Sequence, residues 1–128
     1  LVELLLDTHV LLWWCSDDAA LGKRARDAIA NRDSIVYVSA ASAWEIAVKR
    51  ASGTLDAPGD VAEWLQANDF LPLDIGVGHA LRSAELPNHH RDPFDRLLIA
   101  QSEIEELTLV TADPLVASYD IETLDASL

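Results

Sequence analysis

Short apolar or β-branched runs alternate with stretches striped at helical spacing along the whole chain, and this alternation constrains the fold more than any other feature. The runs are Leu4 to Leu6, Ile35 to Val38, Phe70 to Leu73, Leu107 to Thr111 and Ile121 to Leu124. Each has the length and composition of a buried strand. After the first of them comes T-H-V-L-L-W-W, then a break at Ser16 to Asp18. Leu21, Ala25, Ala28 and Ile29 stripe a helix, and the Ala-rich segment from Ser39 to Ser52 predicts another, ending before Gly53 as helices commonly do. Val61, Trp64 and Leu65 stripe the next, and Val77, Ala80, Leu81 and Ala84 the one after, closed by Pro87. Pro93 opens a further helix whose inward face is Phe94, Leu97, Leu98 and Gln101. Strand and helix in this order predict an α/β fold with a mostly parallel sheet covered on both faces. In such sheets ligands sit at the carboxyl ends of the strands.

At 128 residues and 14.0 kDa the chain is read as one domain, 1–128, large enough to hold its own core. Cys15 is alone, so no internal disulfide forms, and the four histidines show no zinc-finger or H-E-x-x-H spacing. Both points suit a reducing cytosol, and the expected setting is cytoplasmic. No stretch approaches the roughly 18 apolar residues of a membrane span, and no basic leader precedes the first apolar run. Nine Lys and Arg face 22 Asp and Glu, a net charge of −13, with no basic residue beyond Arg96. That balance attracts phosphate weakly and favours a basic protein partner, unless some of the acids hold a cation that presents positive charge locally.

The positions of certain acids make that exception relevant. Asp7 directly follows the first strand, and Asp113 follows Thr111 in L-V-T-A-D-P. Each is either an N-cap or a group projecting from the same edge of the sheet. Glu45 is the one charged residue in an otherwise apolar run from Ala43 to Val48. It is either the acid of a capping box with Ser42 or, if Ser39 is the cap, a carboxylate in the second turn, beyond reach of the cap amide. In R-D-P-F-D-R, Pro93 at the first helical position makes Asp92 the N-cap and puts Asp95 at the third. Asp95 then points off the Phe94, Leu97 and Leu98 stripe, toward the lip where Asp7 and Asp113 are expected.

Carboxylates gathered from Asp7, Glu45, Asp95 and Asp113 repel one another unless protonated or neutralised. All-oxygen ligation selects a hard ion such as Mg²⁺ or Mn²⁺. An ion so held lowers the pKa of bound water and stabilises charge on a phosphate in in-line displacement, so the cluster points to phosphodiester hydrolysis.

L-L-D-T-H, S-A-W-E-I-A-V-K, H-R-D-P-F-D-R-L-L-I-A-Q and L-V-T-A-D, in that order, resemble the PIN domain of VapC-type toxins over about residues 3 to 125. The resemblance implies a three-layer α/β/α sandwich and a metal-dependent ribonuclease whose acids match Asp7, Glu45, Asp95 and Asp113. It further implies a homodimer, inhibited by a cognate antitoxin protein whose arm, basic or amphipathic, lies over the active site. On that basis Asp7 and Asp95 are expected as direct metal ligands, with Asp113 completing the set and Glu45 orienting or deprotonating the attacking water. Thr8 and Thr111 would support the ligands, unless they are simply strand-end threonines. Arg96, Lys49 and Arg50 would meet RNA phosphates, or lie on a solvated helix face. His89 and His90, in the loop before the acidic helix, either contact substrate or transfer a proton, or are plain loop residues. Trp13, Trp14, Trp44 and Trp64 are read as core or dimer surface in preference to base-stacking platforms.

Three rivals make different demands. A receiver-like phosphoacceptor domain wants paired acids at the first strand and a late lysine; no lysine follows Lys49. A haloacid-dehalogenase-type phosphatase wants Asp-x-Asp, and the third position here is His9. A catalytically silent PIN-fold binding module has no need of the acids, all of which are present.

Overall fold

A computed structural model describes residues 2–128. Its strands are β1 (Val2–Leu6), β2 (Ser34–Ser39), β3 (Leu71–Leu73), β4 (Thr108–Thr111) and β5 (Thr123–Asp125). They form one sheet in the order β3-β2-β1-β4-β5, and every neighbouring pair is parallel. The helices are α1 (Thr8–Cys15), α2 (Lys23–Ala30), α3 (Ala40–Ala51), α4 (Val61–Ala67), α5 (Val77–Glu85), α6 (Pro93–Glu105) and α7 (Pro114–Ala117). The expected mostly parallel sheet is thus parallel throughout.

Side chains alternate across β1 and β4 because a strand has period two. Leu4, Leu6 and Val110 enter one core with Val10 and Leu11 of α1, Ala25 and Ile29 of α2, and Ile46 of α3, with Trp64 of α4 packed against it. Leu5 and Leu109 enter the other with Leu97, Leu98 and Ile99 of α6 and Val116 of α7. Two separate cores, one on each face of the sheet, make the three-layer α/β/α sandwich. None of the helices among the described residues is long and apolar enough to cross a membrane.

On α5 the stripe faces the opposite way to a core-facing one. Val77 is 78 % and Leu81 64 % exposed, while the buried residue of the helix is His79. The His79 ring accepts a hydrogen bond from the Gly76 amide at 2.8 Å and pairs through Nε2 with Glu105 of α6 at 3.0 Å. Periodicity identifies residues that share a face; it does not say which way that face turns.

The order of strands reverses between β1 and β4, which start their crossovers in opposite directions. Parallel α/β sheets open a crevice at the carboxyl ends of the strands where this happens. Asp7 follows β1 directly, and Asp113 lies two residues past the end of β4, so the chain delivers two acids to that crevice.

Candidate functional site

At Asp7 and Asp113 the choice between cap and chemistry dissolves, because a carboxylate has two oxygens. Asp7 Oδ1 accepts the Val10 amide at 3.1 Å and caps α1, while Oδ2 accepts the Thr111 hydroxyl at 2.7 Å. Asp113 Oδ1 caps α7 through the Leu115 amide at 2.9 Å, which leaves Oδ2 to face His90 Nε2 at 3.0 Å. Thr111 ties the two together, since its Oγ1 also accepts the Asp113 amide at 3.1 Å.

Asp92 and Asp95 divide the start of α6 between them. Asp92 Oδ1 accepts the amides of Phe94 at 2.8 Å and Asp95 at 3.1 Å, so the cap is complete without the Asp95 side chain. Asp95 Oδ2 instead lies 3.0 Å from His90 Nε2. Asp92→Ala should therefore destabilise the protein by roughly 0.5 to 2 kcal/mol, as lost N-caps do, read by denaturant melts. Equal stability of variant and wild type would remove this division of labour.

Ser39 is the N-cap of α3 through the Ala41 amide at 2.9 Å, so Glu45 is no capping acid. Glu45 is buried, its Oε2 paired with Lys49 Nζ at 2.5 Å, and its Oε1 buried without a partner among the described residues. An orphaned carboxylate oxygen of this kind is costly unless something else satisfies it.

Burial pushes the Asp7 carboxyl above its usual range, against the lowering effect of its hydrogen bonds from Thr111 and Val10. Asp95 is pushed up to about 7, first by burial and then by the charges of Asp92 and Asp7, with Glu45 adding to the repulsion and His90 opposing it. Acids from the end of β1, from α3 and from the start of α6 thus lie within electrostatic reach of one another. The tightest group, however, is His90, Asp95 and Asp113, whose nearest donor atoms all lie within 4.8 Å of each other. Asp7 stands outside that group, its Oδ1 accepting from the Val10 amide and its Oδ2 from the Thr111 hydroxyl. Crowded oxygen donors, an orphaned buried oxygen and a carboxyl raised by its neighbours together fit a hard divalent cation.

The basic residues expected at phosphates are occupied elsewhere. Arg96 is a correction: its guanidinium donates to the carbonyls of Ser83 in α5 and of Leu86, Pro87 and His90 in the loop that follows, at 2.8 to 3.0 Å, so it is spent on bracing that loop. Lys49 neutralises Glu45, and that hydrogen bond is the first cause raising its ammonium above the ordinary value. Arg50 lies over Trp64, 5.5 Å from the ring centroid, on the α4 side. Thr8 donates to Ser42 Oγ at 3.0 Å and joins α1 to α3 without touching an acid. Of the tryptophans, Trp44 is 53 % exposed, its ring 4.8 Å from Phe94, while Trp13, Trp14 and Trp64 are partly buried against the first core.

Reading the residues in order missed the Glu45–Lys49 pair, although its i,i+4 spacing was a usable signal. It also missed Tyr119, whose hydroxyl accepts the His90 amide at 2.9 Å and which no local pattern singles out.

A PIN domain family model matches residues 4–122. The chain is 30 % identical over 122 residues, 93 % of each protein, to Ribonuclease VapC22 of Mycobacterium tuberculosis. Among solved structures it resembles a chain of VapBC2 from Rickettsia felis bound to a promoter DNA fragment, with a TM-score of 0.67, 12 % identity and coverage of 97 % and 98 %. A toxin-antitoxin complex from Klebsiella pneumoniae gives a TM-score of 0.66 at 18 % identity, covering 95 % and 96 %. At those identities the structural likeness speaks for the fold.

Proposed function

The chain belongs to the PIN domain family, and from that premise we propose that it is the toxin of a type II toxin-antitoxin pair, an endoribonuclease dependent on Mg²⁺ or Mn²⁺. The single observation that carries this reading is the meeting of Asp7, Glu45 and Asp95 in one electrostatic field beside Asp113, at the strand ends of a parallel sheet. A relative named as a ribonuclease supports the activity.

Asp95 and Asp113 would hold the ion, with Asp7 contributing charge from behind. When bound, a hard divalent ion supplies a more acidic water and positive charge against the scissile phosphate. Glu45 orients the attacking water through Oε1 and takes its proton as the new P–O bond forms and the bond to the leaving ribose oxygen breaks. Lys49 fixes that carboxylate by holding Oε2. Thr111 holds Asp7 and the Asp113 backbone in register, so the acids of β1 and β4 do not drift apart.

A basic antitoxin arm suits a chain of net charge −13. The outward apolar face, with Trp44, Val77 and Leu81 exposed, supports a homodimer, since large exposed patches mark association surfaces. Leu81→Asp should then convert a dimer to a monomer in light scattering, and a monomeric wild type would remove the homodimer. The setting we infer is the prokaryotic cytoplasm.

The test is incubation with an RNA pool and, separately, with acetyl phosphate, each with Mg²⁺ and with chelator. Metal-dependent, chelator-sensitive RNA fragments are expected. Stable phosphorylation without cleavage would favour a receiver-like domain, and neither reaction would favour a silent binding module.

A further inference from the structure

We propose that His90 is a positioning residue, locked with its single N–H on Nε2, which couples Asp95 to Asp113 and is not itself a metal ligand. The inference rests on the metal-dependent reading above and adds to it.

The lock begins at Nδ1. The Asp92 amide donates to it at 3.1 Å, and an acceptor needs a lone pair there, so the ring's proton belongs on Nε2. Nε2 lies 3.0 Å from Asp95 Oδ2 and 3.0 Å from Asp113 Oδ2. One N–H is thus shared between two carboxylates from different elements, where two anions alone would separate. If Nε2 instead ligated an ion, the proton would move to Nδ1 and point at the Asp92 N–H, two donors facing each other. The set of His90, Asp95 and Asp113 is better read as two ligands and the clamp that spaces them. Hydrogen bonds to ligating groups of this sort commonly change metal affinity 10–100-fold when lost.

The rest of the loop is built to keep the ring in place. The His90 amide donates to Tyr119 Oη at 2.9 Å, and its carbonyl accepts from Arg96 Nη1 at 3.0 Å. Tyr119 Oη in turn donates to Pro87 O at 2.6 Å. The ring is 12 % exposed. Asp92 serves twice, since its side chain caps the helix that carries Asp95 while its amide sets the tautomer. This also accounts for Arg96, which follows Asp95 in sequence and acts on the clamp through the loop backbone.

The experiment is a ¹⁵N–¹H correlation of the imidazole groups in the whole protein, metal-free and Mg²⁺-loaded, together with Mn²⁺ titrations of wild type and variants. The expected result is one proton on Nε2 in both states. His90→Ala should weaken Mn²⁺ binding about 10–100-fold, and His90→Gln, which can present an N–H at the Nε2 position, should recover most of the loss. Tyr119→Phe, which keeps the packing but loses the hydroxyl, should weaken binding less. A proton on Nδ1, a metal-bound nitrogen shift, or unchanged Mn²⁺ affinity in His90→Ala would overturn the clamp while leaving the nuclease reading standing. A wild-type protein that binds no Mn²⁺ would overturn both.

Discussion

Asp95→Asn should reduce RNA cleavage by at least about 10²-fold, the rate equivalent of roughly 3 kcal/mol, and should make the metal-free protein more stable above neutral pH. The first effect follows from removing ligand charge while keeping side-chain shape. The second follows from the Asp95 carboxyl, raised from 3.8 to about 7 by burial and by the charges of Asp92, Asp7 and Glu45. A folded-state value above the unfolded one means that the native protein binds the proton more tightly. Stability contributed by that proton is fully present below about pH 4 and is lost as pH rises toward 7. A rise of that size corresponds to at most about 4 kcal/mol, which Asn does not incur. Denaturant melts in chelator should show the variant ahead at pH 8 and level with wild type near pH 4. Mg²⁺ at 100 times its Kd should narrow that gap by about 2.7 kcal/mol, the amount by which a ligand at such excess stabilises the state that binds it. An active Asp95→Asn enzyme would mean that the wrong acid had been assigned.

Glu45→Gln should lower kcat by roughly 10² to 10⁴, the usual range for loss of a general base, with a much smaller change in KM and in Mn²⁺ affinity. Glu45 lies outside the tight His90, Asp95 and Asp113 group, yet its Oε1 is buried and has no hydrogen-bond partner among the described residues. A carboxylate so placed acts on what enters the site more than on the site's own frame. Lys49→Ala serves as the contrast. Removing the ammonium from Oε2, 2.5 Å away, frees the carboxylate to rotate, so a partial loss of kcat is expected with a weaker effect than Glu45→Gln. Equal loss of metal affinity in Glu45→Gln and Asp95→Asn would make Glu45 a ligand and not a base.

Much of the fold was legible because its signals are local. Leu4 to Leu6, buried throughout, and Ile35 to Val38, where Val36 and Val38 are buried and Ile35 and Tyr37 partly so, are apolar or β-branched runs whose strand identity follows from composition. Asp92 and Asp95 could be separated because Pro93 fixes the register of the helix start. The carboxylates themselves were legible for the same reason, each standing just past a strand or inside an apolar helix. Side-chain pairing across elements was not. Nothing near Arg96 says that its guanidinium will be consumed by four carbonyls of α5 and the loop after it, and nothing near Tyr119 marks it as the support of His90. His90 itself reads as a loop residue until β4 and α6 are brought together. Val77 and Leu81 were correctly placed on one face of α5, but the direction of that face was decided by His79 and Glu105, partners 26 residues apart.

The most direct test of the central claim is an anomalous-difference map from a crystal of the protein soaked in Mn²⁺. The account predicts a peak at metal–oxygen bonding distance, about 2.0–2.1 Å for an ion of the magnesium class, from Asp95 Oδ2 or Asp113 Oδ2, with the His90 ring still hydrogen-bonded and uncoordinated. A crevice without a peak, in crystals of protein that cleaves RNA, would contradict it.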